Sequence, residues 1–115
     1  MMKIALGTIA AVLMASNCNA NSMKGYYTGN ELKAFCDSAD AADFARCSGY
    51  VSGVADEFEV WRDGEKKTEC FPSNVTIQQV VDITRKYLDT HPESRNQSAA
   101  SLIIVSILEA WSCKI

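Results

Sequence analysis

The side chains to weigh first for chemistry are five cysteines, a single histidine at position 91, and the close carboxylates Asp56, Glu57 and Glu59. A thiol becomes a catalytic nucleophile when a base and a group orienting that base stand beside it. His91 is followed directly by Pro92, so it reads as a helix-terminal or loop residue with a contact role. An imidazole at a helix C-terminus is common there because the last carbonyls attract it. Asp56, Glu57 and Glu59 would sit on one helix but point in different directions, which makes a solvated acidic face rather than an acid/base pair. The cysteines are too widely spaced for a metal site and have no partner histidines. No glycine-rich phosphate loop is present. The chain is not read as an enzyme, and neither a cofactor nor a metal is expected.

What the thiols do instead depends on where the chain goes. "MMKIALGTIAAVLMASNCNA" has an early positive charge at Lys3, an apolar run of 12 residues from Ile4 to Ala15, and a small-residue end. That is the layout of a cleavable secretory signal, cut after Ala20. The run is well short of the roughly 20 residues a spanning helix needs, so no membrane anchor is expected after cleavage. Acylation at Cys18 is the alternative, disfavoured because Ala15 and Asn17 suit a lipoprotein signal poorly. Cleavage would leave 95 residues with a formal charge of −4, one small acidic domain in the periplasm. With no basic face to meet phosphates, a nucleic-acid role is excluded.

Cleavage also removes Cys18 and leaves Cys36, Cys47, Cys70 and Cys113. An even count in a small exported domain implies two disulfides, with three connectivities open. Two helices joined by a short loop would bring Cys36 opposite Cys47, which leaves Cys70 for Cys113.

The elements that position these residues are helices. Residues 21–29 lack periodicity and read as a loose lead-in, with Asn30 capping a short helix through Cys36. Asp40 or Asp43 would cap a second helix, whose apolar positions 44, 47, 51, 54, 58 and 61 alternate in steps of three and four. Cys47, Val51, Val54, Phe58 and Trp61 are expected to face the core. Gly49 and Gly53, with Ser48 and Ser52 beside them, leave a low stripe. A helical glycine costs about 1 kcal/mol relative to alanine, so the stripe asks for close approach of another backbone. An intramolecular helix crossing is favoured over a second subunit. The stretch "RDGEKKTECFPSN" interrupts the pattern as a turn, weak hairpin or exposed loop. Thr76 with Gln79 forms a capping box for a third helix ending at His91-Pro92. Ser94 with Gln97 reads as a second box, opening a helix from about Arg95 to Ser112 whose apolar residues make it the most buried element. "NVT" at Asn74 and "NQS" at Asn96 match the glycosylation triplet, but helix-start chemistry explains the Thr and Ser. The fold class is all-α, a small disulfide-stapled bundle of about four helices.

Several features resemble one family over about Cys36 to Cys113. They are "CSGYV" at a helix start, "CFP" before a helix beginning Val75-Thr76, Tyr87-Leu88 followed by His91-Pro92-Glu93, and an alanine-rich last helix ending at Cys113. In these the chain resembles the immunity proteins that protect bacteria against peptidoglycan amidase effectors of the type VI secretion system. The resemblance implies a periplasmic, disulfide-bonded helical protein, in many members a homodimer, that plugs the substrate cleft of its amidase partner. The loop Arg62 to Glu69, with Asp63, Glu65, Lys66, Lys67 and Glu69, is the first surface expected to make contact, because its charges suit an interface rim. The turn Thr90 to Arg95, with His91, Glu93 and Arg95, is the second. The alternative is a small periplasmic helical chaperone, which a lone histidine and a modest acidic excess support weakly. A packing role in an envelope complex has no positive support in the sequence.

Overall fold

A computed structural model of the protein describes residues 25–113. The expected signal segment, its cleavage point and Cys18 lie outside the described residues. Four α-helices are present, α1 (Gly29–Asp37), α2 (Ala41–Gly64), α3 (Ile77–Thr90) and α4 (Ala99–Trp111), with a 3₁₀ turn at Pro92–Ser94. The expected all-α bundle is what forms. Among the described residues the sole β-type pairing is an isolated bridge between Thr28 and Ser98.

Each helix start has a local cause. The cap of α1 is Thr28, not Asn30: its hydroxyl accepts from Glu31 N at 3.3 Å while Glu31 accepts from Thr28 N at 2.8 Å, a complete capping box. The lead-in is correspondingly less loose than its composition suggests, because the Tyr27 ring packs edge-on against Phe35 and Tyr50. Asp40 caps α2 by accepting from Ala42 N and Asp43 N. Thr76 and Gln79 form the expected box on α3. The expected box at Ser94 and Gln97 does not form. Pro92 instead opens the 3₁₀ turn, Gln97 N donates back to Ser94 O, and α4 begins only after Ser98. The carbonyls of Arg95 and Gln97 accept from Asn30 N and Gly29 N, both at 2.9 Å, so tertiary pairing with α1 takes over the backbone that a longer α4 would have used. This contact is close: a Cβ on Gly29 would sit 3.0 Å from Arg95 Cα and 2.4 Å from the Leu102 side chain.

The core is built from Leu32 and Cys36 of α1, Cys47, Val51, Ala55 and Phe58 of α2, Val80, Val81 and Leu88 of α3, and Leu102, Ile103 and Ile107 of α4. Thr84 and Ser106 are the buried hydroxyls. Their oxygens lie 3.3 Å apart and Ser106 donates to Ile103 O at 2.7 Å, so neither is left unsatisfied. The last helix is less enclosed than its composition implies, since Val105 is 41 % exposed. Cys36 bonds to Cys47 with a Cα separation of 5.0 Å, and Cys70 to Cys113 with one of 5.4 Å.

An ion cluster ties α1 to α3. Asp37 accepts from Lys33 and, at 3.2 Å, from Arg85 Nε, while Lys33 also reaches Asp89. Partial burial pushes the Asp37 carboxyl up, but the Lys33 and Arg85 cations outweigh it and hold the group below its ordinary value. The Asp37 and Asp89 carboxylates push Lys33 up.

Two predictions follow from these bonds. The bridges close loops of 11 and 43 residues. Loop-closure entropy then assigns about 3 kcal/mol to Cys36–Cys47 and about 4 kcal/mol to Cys70–Cys113. Urea titration of the paired Cys→Ala variants should show the second pair costing more, and the reverse order would contradict the entropic account. For Asp37, a depressed folded pKa means its contribution is complete above the unfolded value of about 4 and is lost as pH falls through the folded one. The stability gap between wild type and Asp37→Asn should therefore shrink below about pH 4, read as urea midpoints at a series of pH values.

Candidate functional site

The two expected contact loops lie at opposite ends of the bundle. Loop 62–69 follows the C-terminus of α2 and is anchored beside the C-terminus of α4 by Cys70–Cys113. The turn at 91–95 precedes the N-terminus of α4. The 13 residues of α4 separate the two by roughly 18 Å along its axis, so they form two patches rather than one.

Loop 62–69 presents charge from a fixed base. Asp63, Glu65, Lys66, Lys67 and Glu69 are all exposed. Beneath them Arg62 is buried, 2 % exposed, and donates from Nε and Nη2 to Thr68 O at 3.3 and 2.9 Å. Its guanidinium also stands 5.5 Å from the Phe58 ring centroid. Glu59 accepts from Cys70 N at 3.1 Å, which separates it from Asp56 and Glu57 in role: they are exposed, and it ties the loop's far end to α2. Lys66 takes a left-handed backbone, φ 56°, where the chain reverses.

The turn at 91–95 is more committed internally. The His91 ring is half-buried and stacks on Tyr87 with centroids 4.0 Å apart. Its Nδ1 lies 3.0 Å from both Thr90 Oγ1 and Tyr87 O. Arg95 Nε donates to Leu88 O at 2.7 Å. Both side chains hold the end of α3, leaving Glu93 as the fully exposed charge of the turn. All four cysteines described are in bridges, and no group of three or more His, Cys, Asp or Glu among the described residues is placed to hold a metal ion.

A third surface was misread in the sequence. Gly49 and Gly53 do not underlie an internal crossing. Among the described residues no heavy atom beyond the chain neighbours and the local helix backbone lies within 4 Å of a Cβ on either. They floor an open groove of about 760 Å³ whose walls are Tyr50, Val54, Phe58 and Trp61 of α2 with Ala100 and Ile104 of α4, and Glu57 on its lip. Trp61, expected in the core, is 44 % exposed, and Arg62 takes the inward position. The signal that could have found this was the pairing of two costly helical glycines with small residues one and two turns earlier, at Ala45 and Ala42.

Residues 28–113 match the family model of the Rap1a immunity proteins. The chain belongs to that family. No curated protein and no solved structure matches it. The matched span runs from the cap of α1 to the last cysteine, so it takes in all four helices and both bridges. Membership in the Rap1a family makes this chain an immunity protein and gives it an effector to bind. The family assigns the chain a binding role toward a secreted effector, and the parts to weigh for binding are surfaces. The two pinned charged turns and the apolar groove are the surfaces this Rap1a-family fold offers.

The buried arginine gives a prediction. Arg62→Ala removes the donors that hold Thr68 O inside the fold, at a cost of about 1–3 kcal/mol for a charge-assisted buried bond. Amide exchange should accelerate at Thr68–Cys70 and leave α3 unchanged. Unaltered exchange there would mean that the disulfide and the Glu59 bond to Cys70 N fix the loop without Arg62.

Proposed function

We propose that this chain is exported through a cleaved signal to the periplasm, where it binds a cognate type VI peptidoglycan amidase effector and blocks its substrate cleft. The observation that carries the reading is the Rap1a immunity match across residues 28–113, joined to the sequence resemblance to amidase-directed immunity proteins. The architecture suits inhibition by occlusion. Cys70–Cys113, the Arg62 bonds to Thr68 and the Glu59 bond to Cys70 N hold the charged loop 63–69 before any partner arrives. Such a loop loses little conformational freedom on docking, so more of its contact energy appears as affinity. The formal charge of −4 left after cleavage would speed encounter with a basic effector and slow it with an acidic one.

The direct test mixes the purified protein with each secreted cell-wall amidase found encoded beside it and follows release of cleaved wall peptide. The expected outcome is stoichiometric loss of cleavage that returns when the protein is reduced and unfolded. Full amidase activity at excess protein would reject the amidase reading and leave the family membership untouched.

A further inference from the structure

The two bridges differ in what surrounds their sulfurs. Cys36 and Cys47 are 2 % and 0 % exposed and belong to the hydrophobic core. Cys70 is buried as well, but its partner Cys113 is half-buried and stands just past the end of α4. A recess of about 470 Å³ opens there, lined by both cysteines together with Arg62, Lys67, Glu69 and Trp111. Its volume is in the range that small ligands enter. The effector reading uses this bridge as an anchor and gives the recess no role.

Access decides which disulfide reacts. Exchange begins when a thiolate attacks one sulfur, so a bridge with both sulfurs buried exchanges only when the fold opens around it. Cys36–Cys47 is in that position, whereas Cys113 lines an open recess and is reached without unfolding. Charge in the recess favours the same reaction. Arg62 and Lys67 outnumber Glu69, and a net positive surrounding stabilises both an incoming thiolate and the one that leaves. The backbone beside the bridge gains by release, since Ser112 caps α4 in the left-handed region, φ 50°, which an L side chain adopts at a cost.

We propose that Cys70–Cys113 is an exchange site for a dithiol reductant, opened within the folded domain while Cys36–Cys47 stays shut. One thiolate of the reductant bonds to Cys113 Sγ as the bond to Cys70 breaks, and Cys70 leaves as a thiolate that takes up a proton. The second thiol of the reductant, losing its own proton, then displaces Cys113. The reductant ends as a cyclic disulfide, oxidised by two electrons, and the chain ends with two thiols. Loop 62–69 is thereby released from α4 but keeps its ties to α2, through Arg62 to Thr68 O and through Glu59 to Cys70 N. The chain then has two folded forms, one with the loop tied to both helices and one with it tied to α2 alone. That the second form holds an effector less tightly rests on the occlusion reading; the exchange itself does not.

The test uses the oxidised full chain, expressed with its own leader and purified, with any free thiol blocked beforehand and no effector present. Dithiothreitol is added, samples are quenched over time with a second alkylating reagent, and labelled cysteines are mapped by peptide mass. Cys70 and Cys113 should be labelled together, at least about a hundredfold faster than Cys36 and Cys47. Urea well below the unfolding midpoint should leave the first rate unchanged within about twofold and raise the second, because only the buried bridge waits for opening. Lys67→Glu should slow the first rate by about threefold, the scale of an exposed charge contact. Amide exchange of the half-reduced protein should rise at residues 109–113 and leave α1 protected. Equal rates for the two bridges, a Cys70–Cys113 rate that climbs with urea alongside the other, or loss of protection in α1 would overturn the proposal. So would a rate indifferent to Lys67→Glu, since the thiolate would then be entering elsewhere than through the recess.

Discussion

The Cys36–Cys47 bond sets the rotational phase of α2. Once Cys47 is fixed against α1, every later side chain follows at 3.6 residues per turn, and the inward series becomes Val51, Ala55, Phe58 and Arg62. The outward series is fixed by the same bond, and it holds Gly49, Gly53 and Glu57. Core and groove are thus two consequences of one covalent constraint. A helix rotated by two positions would have turned Gly49, Gly53 and Glu57 inward and Val51 outward, and the bridge forbids that rotation.

The far end of α2 is held by different means. There the chain has a charged loop to anchor, and it does so from below with the buried guanidinium of Arg62 and from the side with Glu59 and Cys70. A buried arginine is costly unless its donors are occupied. Placing it under the loop gives those donors the Thr68 carbonyl and gives the loop a fixed base. The 43-residue span closed by Cys70–Cys113 then joins the ends of α2 and α4, so that a domain with a modest core keeps defined surface features.

Local chemistry was legible in the sequence. The Asp40 cap and the Thr76–Gln79 box depend on residues within one turn of each other, and the helix periods established the fold class. What went astray involved competition from elsewhere in the chain. Ser94 and Gln97 have the spacing of a capping box, but α1 claims the carbonyls of Arg95 and Gln97. The apolar series ending at Trp61 has a 3.5-residue spacing, which slides around a helix by about 20° per heptad. Over two and a half heptads it leaves the core, and Trp61 emerges on the groove wall. The two charged loops were visible as charge, whereas the half-buried roles of His91 and Arg95 required knowing that Tyr87 and Leu88 stand behind them.

The stitching of the first residues to the 95–99 segment has a temporal consequence. Gly29 N and Asn30 N donate to Gln97 O and Arg95 O, and Ala99 N donates to Tyr27 O. The opening turn of α1 therefore finds its partners only after the last quarter of the chain is present. On the export route proposed above, a chain that crosses the membrane amino end first would offer Cys36 and Cys47 to an oxidant early, while Cys70 would wait for Cys113. Maturation by that route would be an ordered race, in which the short staple closes on a nascent hairpin and the long one locks only when the closing helix arrives.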